Sequence, residues 1–459
     1  MGSIRTPMAQ TFVLGMIFFF TFTAYLTIQA FASDMYGQTL GSNTAFSIYA
    51  LFTIACFISP SITNKLGCKN TMTLGVLGYA SLVAASLIKF VDGTDKYNWL
   101  VIVGGCILGI GAALLWTAQG RLILQYSDGS DGGTLFSIFW ALFNMSALVG
   151  GLLTFVYFGA NETDDDSSDK DEGQGSATLY VIFLGFVLSG AFFTRFIVAP
   201  NDLERPADSK QRPFLDPLVA ENPLHHDIEQ QKERHVSSEI SGKNWVAEFI
   251  ATIALFKTER MLLLATLFYY TGYNQPYQLN TFGNRFFTAQ TLGLEMIIFY
   301  AAEIVGGLYI GQFLDKSSSS KELQRKAAKT CLLVFVVVTS VSFVLAFYLE
   351  SKCAWKDENC VDKISYDSVD VILPTITYAL WGFSDSQIQT YSYWLMGVLY
   401  ETGDDQARAV GFYKMIQSAG WMVGFWFVPN DRMEPVLQMG GTTICFAIGL
   451  VLCLRELPK

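Results

Sequence analysis

The stretch Cys331–Leu349 reads CLLVFVVVTSVSFVLAFYL and carries no charged side chain over its whole length. A helix of about 20 such residues crosses the roughly 30 Å of hydrocarbon in a bilayer. Similar apolar runs recur along the 459 residues, which are 51% hydrophobic and 15% charged. Soluble chains carry about 25% charged residues. This composition excludes a cytosolic enzyme, a disordered chain and a nucleic-acid-binding protein.

Twelve apolar stretches are long enough to cross the bilayer, so lipid is the first expected partner of this chain. Each stretch should be a helix, because lipid offers no hydrogen bonds to an exposed backbone. A transmembrane barrel would show alternating strands of about ten residues, whereas Val334–Val338 and Met16–Phe20 are continuously apolar. We therefore predict an all-α integral membrane protein with spans at Phe12–Ala32, Thr44–Ile62, Met72–Phe90, Trp99–Ala118, Thr134–Phe158, Thr178–Val198, Met261–Leu279, Leu292–Phe313, Ala327–Leu349, Val371–Trp394, Arg408–Val428 and Val436–Leu454.

Basic residues predict the orientation, because Lys and Arg are enriched in cytosolic loops. With both termini in the cytosol, most of the 30 basic residues lie on the cytosolic side, including a dense cluster at positions 316 to 329. The outer side then holds the sequon at Asn161, a predicted glycosylation site. It also holds Cys353 and Cys360, which we predict to form a disulfide, the alternative being two free thiols. Both the plasma membrane and an endomembrane fit this topology.

Six spans lie on each side of a polar segment, which divides the chain into residues 1–199, a cytosolic linker at 200–260, and residues 261–459. This layout is typical of duplicated transporters whose halves enclose a central cavity. Leu115-Trp116 in span four and Leu380-Trp381 in span ten are one trace of the duplication. The linker holds all three histidines without a metal-site spacing, so we expect no metal and no cofactor.

The loop after span eight contains Gly311, Asp315 and Lys316. Small, acidic and basic residues there predict a tight inner turn whose charges cap helix ends and hold the inward gate closed. The pattern resembles the loop motif of the major facilitator superfamily. The corresponding loop after span two has Asn64-Lys65 and lacks the acid.

Four further stretches are more distinctive as sequence motifs than the apolar runs: Leu115–Gly120 (LWTAQG), Tyr277–Asn280 (YQLN), Trp381–Asp385 (WGFSD) and Val410–Gly420 (VGFYKMIQSAG). Together they resemble the uncoordinated-93-like branch of the major facilitator superfamily, and the last stretch is the most specific. The resemblance covers nearly the whole chain. It implies the twelve-helix facilitator fold with two six-helix halves. Members of this branch are better known as channel-associated or receptor-escorting membrane proteins than as transporters.

In the fold that this resemblance implies, spans one, four, seven and ten line the cavity. Aromatic side chains with a few polar groups are typical of small-molecule pockets. The same residue types also hold helices together, so the alternative is a structural role. The candidates for binding a solute are Gln29, Trp116, Gln119, Tyr270, Tyr273, Asn274, Trp381, Asp385 and Gln389.

Charged residues inside the spans raise the free energy of insertion into lipid, so each is expected to have a functional or structural role. Three of them are candidates for coupling or ion pairing: Glu303 in span eight, Asp385 in span ten and Lys414 in span eleven. One hypothesis is that an acid binds a coupling proton or a cationic solute, because protonation would bias inward and outward states. The other is that Lys414 neutralises one acid in a static ion pair.

Two functions fit this sequence. The first is a secondary transporter that moves a small solute or ion by alternating access. The second is a non-transporting accessory protein that regulates or escorts a channel or receptor, its partner being another membrane protein. We do not expect an enzyme, because the sequence shows no catalytic triad pattern, metal-ligand spacing or phosphate loop.

Overall fold

A computed structural model of the chain describes residues 4–30, 36, 38–127, 131–162, 177–204, 245–317, 320–354, 363–400, 402–428 and 432–457. Almost every described segment is helical. The helices are α1 (Pro7–Ala30), α2 (Gln38–Ala55), α3 (Ser59–Leu66), α4 (Cys68–Asp92), α5 (Asn98–Tyr126), α6 (Gly132–Glu162), α7 (Ala177–Phe193), α8 (Trp245–Phe256), α9 (Glu259–Gln275), α10 (Gly283–Phe286), α11 (Ala289–Lys316), α12 (Lys321–Ala354), α13 (Ile372–Leu399), α14 (Gly403–Phe427) and α15 (Pro435–Cys453).

A helix lies at each of the twelve predicted stretches. By length and apolar composition, seven of the described helices qualify as membrane spans, or eight when α2 and α3 are taken as one span bent by 62°. The prediction of an all-α membrane protein is therefore confirmed, while the count of twelve crossings stays a prediction. The bend between α2 and α3 falls just before Pro60, which occupies one of the first positions of α3, where proline is tolerated.

Helix α12 shows how an apolar helix divides its faces between lipid and protein. Leu333, Val337 and Val344 are more than half exposed, and they recur at helical spacing along one side. Phe335 and Ala346, on the other side, are fully buried. An exposed row of large apolar side chains is unfavourable in water and favourable against lipid tails, so the decisive stretch Cys331–Leu349 places one face in the membrane.

Several helix pairs connect the residues before the linker, which we call the first segment, with the residues after it, the second segment, and two of these pairs are the most extensive. Helix α6 packs along α11, and α2 packs along α14. Small residues allow the backbones to approach closely. At Gly311, for example, an added Cβ would lie 1.9 Å from the hydroxyl of Ser137 and 2.4 Å from the carbonyl oxygen of Gly133. The cavity described below lies between these two contact zones.

Helix α9 continues into a π-helical turn, Pro276–Phe282, before α10 begins. Proline has no backbone N–H to donate to the preceding turn, and such wide turns are frequent at functional sites. The turn carries Asn280, and α10 carries Asn284, and both side chains line the cavity. The irregular geometry of this span therefore places amide groups at the site.

Candidate functional site

A cavity of about 130 Å³ lies among helices from both sides of the linker. Helices α1, α2, α4, α5 and α6 contribute from the first segment, and α9, the π-helical turn, α10, α11, α13 and α14 contribute from the second. Three of the predicted solute-binding candidates line it, namely Gln29, Trp116 and Gln389. Glu303 and Lys414, predicted as coupling or ion-pair residues, line it as well. The structure thus brings five of the predicted residues together around one space.

The wall on the side of the first segment is largely aromatic. The hydroxyls of Tyr25 and Tyr49 lie 3.2 Å apart, and the Gln29 amide donates to the Tyr49 hydroxyl over 3.5 Å. The rings of Phe22 and Trp116 meet edge to face with centroids 5.5 Å apart. A largely apolar wall with a few fixed polar groups is the usual construction of a small-molecule site.

Three amide side chains at the cavity wall were not among the predicted candidates: Gln275, Asn280 and Asn284. Gln275 is held in place because its carbonyl oxygen accepts the indole N–H of Trp421 over 2.8 Å. The available signal in the sequence was a concentration of amides around Pro276 at the end of an apolar span.

Glu303, on α11, is fully buried. Its Oε2 atom accepts hydrogen bonds from the indole N–H of Trp140 over 3.1 Å and from the amide of Asn144 over 2.7 Å, both on α6. The carboxyl group of Asp385 on α13 lies close enough to interact with it, and the Oε1 atom of Glu303 has no hydrogen-bond donor among the described residues. Asn144 and Trp140 were missed, because span five is not among those expected to line the cavity.

Asp385 lies behind the cavity wall, where amides surround it. It accepts hydrogen bonds from Gln389 over 2.8 Å, from Gln275 over 2.9 Å and from Asn274 over 3.4 Å. Two carboxyl groups that interact inside a low-dielectric site cannot both hold a full negative charge, so such pairs share a proton. Glu303 and Asp385 therefore form one protonatable unit, which we call the carboxyl pair.

Lys414, on α14, is fully buried, and its ammonium group faces aromatic rings. Its Nζ atom lies 4.0 Å from the centroid of the Trp116 ring and donates to the carbonyl oxygen of Gln417 over 2.8 Å. Within the described part of the chain, no carboxylate lies within salt-bridge distance of this group. The static ion pair between Lys414 and an acid is therefore not formed in this structure.

The other predicted cavity residues are buried in helix contacts outside the cavity. Gln119 accepts a hydrogen bond from a tyrosine hydroxyl over 3.4 Å, and Tyr270 packs against a phenylalanine of α15. Tyr273 stacks on the tyrosine one turn before it, and Trp381 lies in an aromatic cluster with Tyr277. These four side chains were expected at the cavity surface. The structure does not place them there, because they pack against neighbouring helices instead.

The predicted gate loop contacts the start of α6. The two carboxylate oxygens of Asp315 accept the backbone N–H groups of Gly133 over 2.8 Å and of Thr134 over 2.6 Å. These are unpaired donors at a helix N-terminus, where a negative charge is stabilising. Lys316, the next residue, is exposed. Asp315 thereby joins the segment after the linker to the segment before it.

The loop after span two, which lacks the acid, obtains one from α8. Glu248 accepts a hydrogen bond from the side-chain amide of Asn64 over 2.7 Å. It also forms a bidentate salt bridge with Arg408 of α14, over 3.0 and 2.7 Å. Arg121 of α5 adds contacts to Asn64 and to Asp404 at the start of α14. The sequence predicts a polar linker at residues 200–260, whereas the structure shows that a helix within it, α8, contacts both segments.

Several sequence-based predictions fall on parts of the chain outside the described residues. Cys360 lies there, as does the side chain of Cys353, so their disulfide stays a prediction. Asn161 is in the last turn of α6, but its side chain and Thr163, which completes the sequon, lie outside the described residues. The same holds for the three histidines. Among the described residues, no group of three or more His, Cys, Asp or Glu side chains is placed to hold a metal ion.

Comparisons with known proteins agree with this architecture. The UNC93-like protein 1 of Arabidopsis thaliana is 24% identical over 448 residues, covering 95% of this chain and 86% of that protein. An UNC93-like protein of Schizosaccharomyces pombe is 27% identical over 378 residues, covering 82% and 67%. The crystal structure of the Escherichia coli fucose:proton symporter FucP matches with a TM-score of 0.61 at 13% identity, covering 98% of this chain and 99% of that chain.

The structural match shows the major facilitator fold, and the sequence matches are to UNC93-like proteins. A family model described as "Ion channel regulatory protein UNC-93" matches residues 36–454, which is most of the chain. The chain is a multi-pass membrane protein of the major facilitator kind and belongs to the UNC-93 family.

Proposed function

We propose that this protein is a secondary transporter that moves a small solute by alternating access through the cavity. The observation that carries the proposal is a cavity between both segments, with Glu303 of the carboxyl pair on one wall and Lys414 on another. In alternating access, two halves rock around a site that lies between them. The proposal includes the division into 1–199, 200–260 and 261–459 and the placement of both termini in the cytosol.

The carboxyl pair would couple solute movement to proton movement. Glu303 and Asp385 both belong to the segment after the linker, whereas Trp140 and Asn144, which donate to Glu303, belong to α6 of the segment before it, so these two hydrogen bonds join the carboxyl pair to the other segment. Rocking of the segments would break the hydrogen bonds from Trp140 and Asn144 to Glu303 and so change the affinity of the carboxyl pair for its shared proton. A protonation step that favours one state over the other is what coupling requires.

Glu303→Gln and Asp385→Asn should each abolish solute-driven proton uptake. Neither amide can carry the shared proton on and off, whereas exchange of solute across the membrane should continue because the cavity keeps its shape. The measurement is proton uptake and solute counterflow in proteoliposomes, over a panel of small solutes. Uptake should fall by more than about tenfold, since the coupling free energy of such a pair exceeds about 1.4 kcal/mol.

Glu295→Gln is the matched control for these variants. Glu295 is a buried acid on the same helix, two turns from Glu303, and its carboxylate accepts a hydrogen bond from Thr375. It is not among the residues that line the cavity. Unaltered proton uptake in both Glu303→Gln and Asp385→Asn would contradict the coupling proposal, as would an equal loss in Glu295→Gln.

The second candidate function is regulation of an ion channel without transport. The description of the matching family model favours it, since it names ion-channel regulation. Affinity purification of the tagged protein in mild detergent would test it. A stoichiometric membrane partner together with no flux for any solute in the panel would favour this function over transport.

A further inference from the structure

The ammonium group of Lys414 has more hydrogen-bonding capacity than the described residues use. An ammonium carries three N–H donors, and its hydrogen bond within the described residues goes to Gln417. The rings of Trp116, Tyr413 and Tyr393 lie 4.0, 4.9 and 5.7 Å from Nζ and screen part of the charge through their π faces. The group also lines the cavity, so its remaining donors are available to an acceptor that enters there.

The position of this cation is fixed by the amide that holds it. The two N–H donors of Gln417 Nε2 are shared among three acceptors, which are Thr271 at 3.0 Å, Gln389 at 3.1 Å and the hydroxyl of Tyr413 at 3.1 Å. These bonds leave the carbonyl oxygen of Gln417 pointing at Lys414. A group held by several mutually bonded neighbours is preorganised and loses little entropy when a ligand binds.

The charges around Lys414 set the condition under which an anion can enter. Asp385 on α13 and the thiol of Cys56, in the turn that follows α2, interact with it electrostatically, and Glu303 shares the cavity wall. A second negative charge in the cavity would be repelled by the carboxyl pair unless that pair takes up a proton. Binding of an anion and protonation of the pair should therefore reinforce each other.

We infer that the cavity binds a small organic anion, with its carboxylate on the Lys414 ammonium and its apolar body against the aromatic wall. The inference rests on the proposed function, since it names the class of solute carried. Anion binding by Lys414 and proton uptake by the carboxyl pair are chemically consistent, because an anion that crosses the membrane together with a proton moves no net charge.

A charge series on one ring skeleton tests this inference. Benzoate, benzamide and benzylamine are similar in size and differ in charge, so their binding to the purified wild-type protein in nanodiscs isolates the preference for an anion. Quenching of tryptophan fluorescence is a suitable readout, since Trp116 lies against Lys414. We expect benzoate to bind at least about tenfold more tightly than either relative, the size expected for a charge-assisted hydrogen bond, and more tightly at pH 5.5 than at pH 8.

Lys414→Gln should remove the preference for benzoate over benzamide, and Lys326→Gln should keep it, because Lys326 is exposed on α12. Tighter binding of benzylamine than of benzoate would overturn the inference, and so would an unchanged preference in Lys414→Gln. The wild-type series is decisive even when the variant does not fold. Selective benzoate binding without benzoate flux would overturn transport and keep the anion site, whereas solute flux without any preference for the anion would do the reverse.

Discussion

Replacing Gly272 with alanine should destabilise the protein by about 3 kcal/mol, the upper end of the usual effect of overpacking. Gly272 lies on α9 where it crosses α14, and an added Cβ would lie 1.9 Å from the carbonyl oxygen of Gln417 and 3.0 Å from the backbone nitrogen of Trp421. Backbone atoms cannot rotate away, so the two helices would have to separate. Thermal unfolding of the purified protein, followed by tryptophan fluorescence, measures the effect.

Gly440→Ala is the control for this prediction. Gly440 lies on α15, and an added Cβ there would meet no atom within 4 Å. Alanine favours the helix by up to about 1 kcal/mol relative to glycine, so this variant should melt at the wild-type temperature or slightly above it. Equal melting temperatures for Gly272→Ala and wild type would mean that α9 and α14 are not packed as described. Because Gln417 also holds Lys414, the Gly272 variant should lose the benzoate preference too.

Glu248 and Arg408 should show a coupling free energy of about 1–2 kcal/mol in a double-mutant cycle of Glu248→Gln and Arg408→Gln. Their side chains are 12% and 14% exposed, and their salt bridge is bidentate, with distances of 3.0 and 2.7 Å. This geometry makes the pair stronger than the median surface salt bridge. Unfolding free energies of the four proteins measure the coupling.

The pair Arg260 and Glu456 serves as the comparison for that cycle. The Nε atom of Arg260 and the Oε2 atom of Glu456 lie 3.1 Å apart, but Arg260 is 43% exposed and the pair shares a single hydrogen bond. Exposed pairs contribute about 0–1 kcal/mol, so its cycle should give the smaller coupling. A coupling for Glu248 and Arg408 that is no larger would show that α8 does not hold the two segments together.

The sequence predicts the fold well, because apolar length and the shortage of charges depend on the chain alone. It also identifies Glu303, Asp385 and Lys414, since a buried charge in a span stands out against its neighbours. It does not predict that Glu303 and Asp385 interact. They lie on different helices, and their interaction depends on how α11 and α13 pack.

The role of α8 is invisible to sequence reasoning for a similar reason. Glu248 lies in a segment that reads as a linker, and its partners Asn64 and Arg408 lie far away in the chain. The gate-loop prediction found Asp315 because acid, glycine and lysine are adjacent in sequence. In the first copy of that loop, the acid comes from another part of the chain, so no local pattern reveals it.

Distances between labels on the two sides of the membrane test alternating access most directly. The first label pair, at the exposed positions Asn70 and Glu322, measures a distance on the side that holds the Asp315 and Glu248 contacts. The second pair, at the exposed positions Lys96 and Asp367, measures a distance on the opposite side. Electron-spin distance measurements would compare wild type with the double variant Asp315→Ala, Glu248→Gln. Our account predicts that the first distance lengthens while the second shortens. A lengthening of the first with no change in the second, or no change in either, would contradict it.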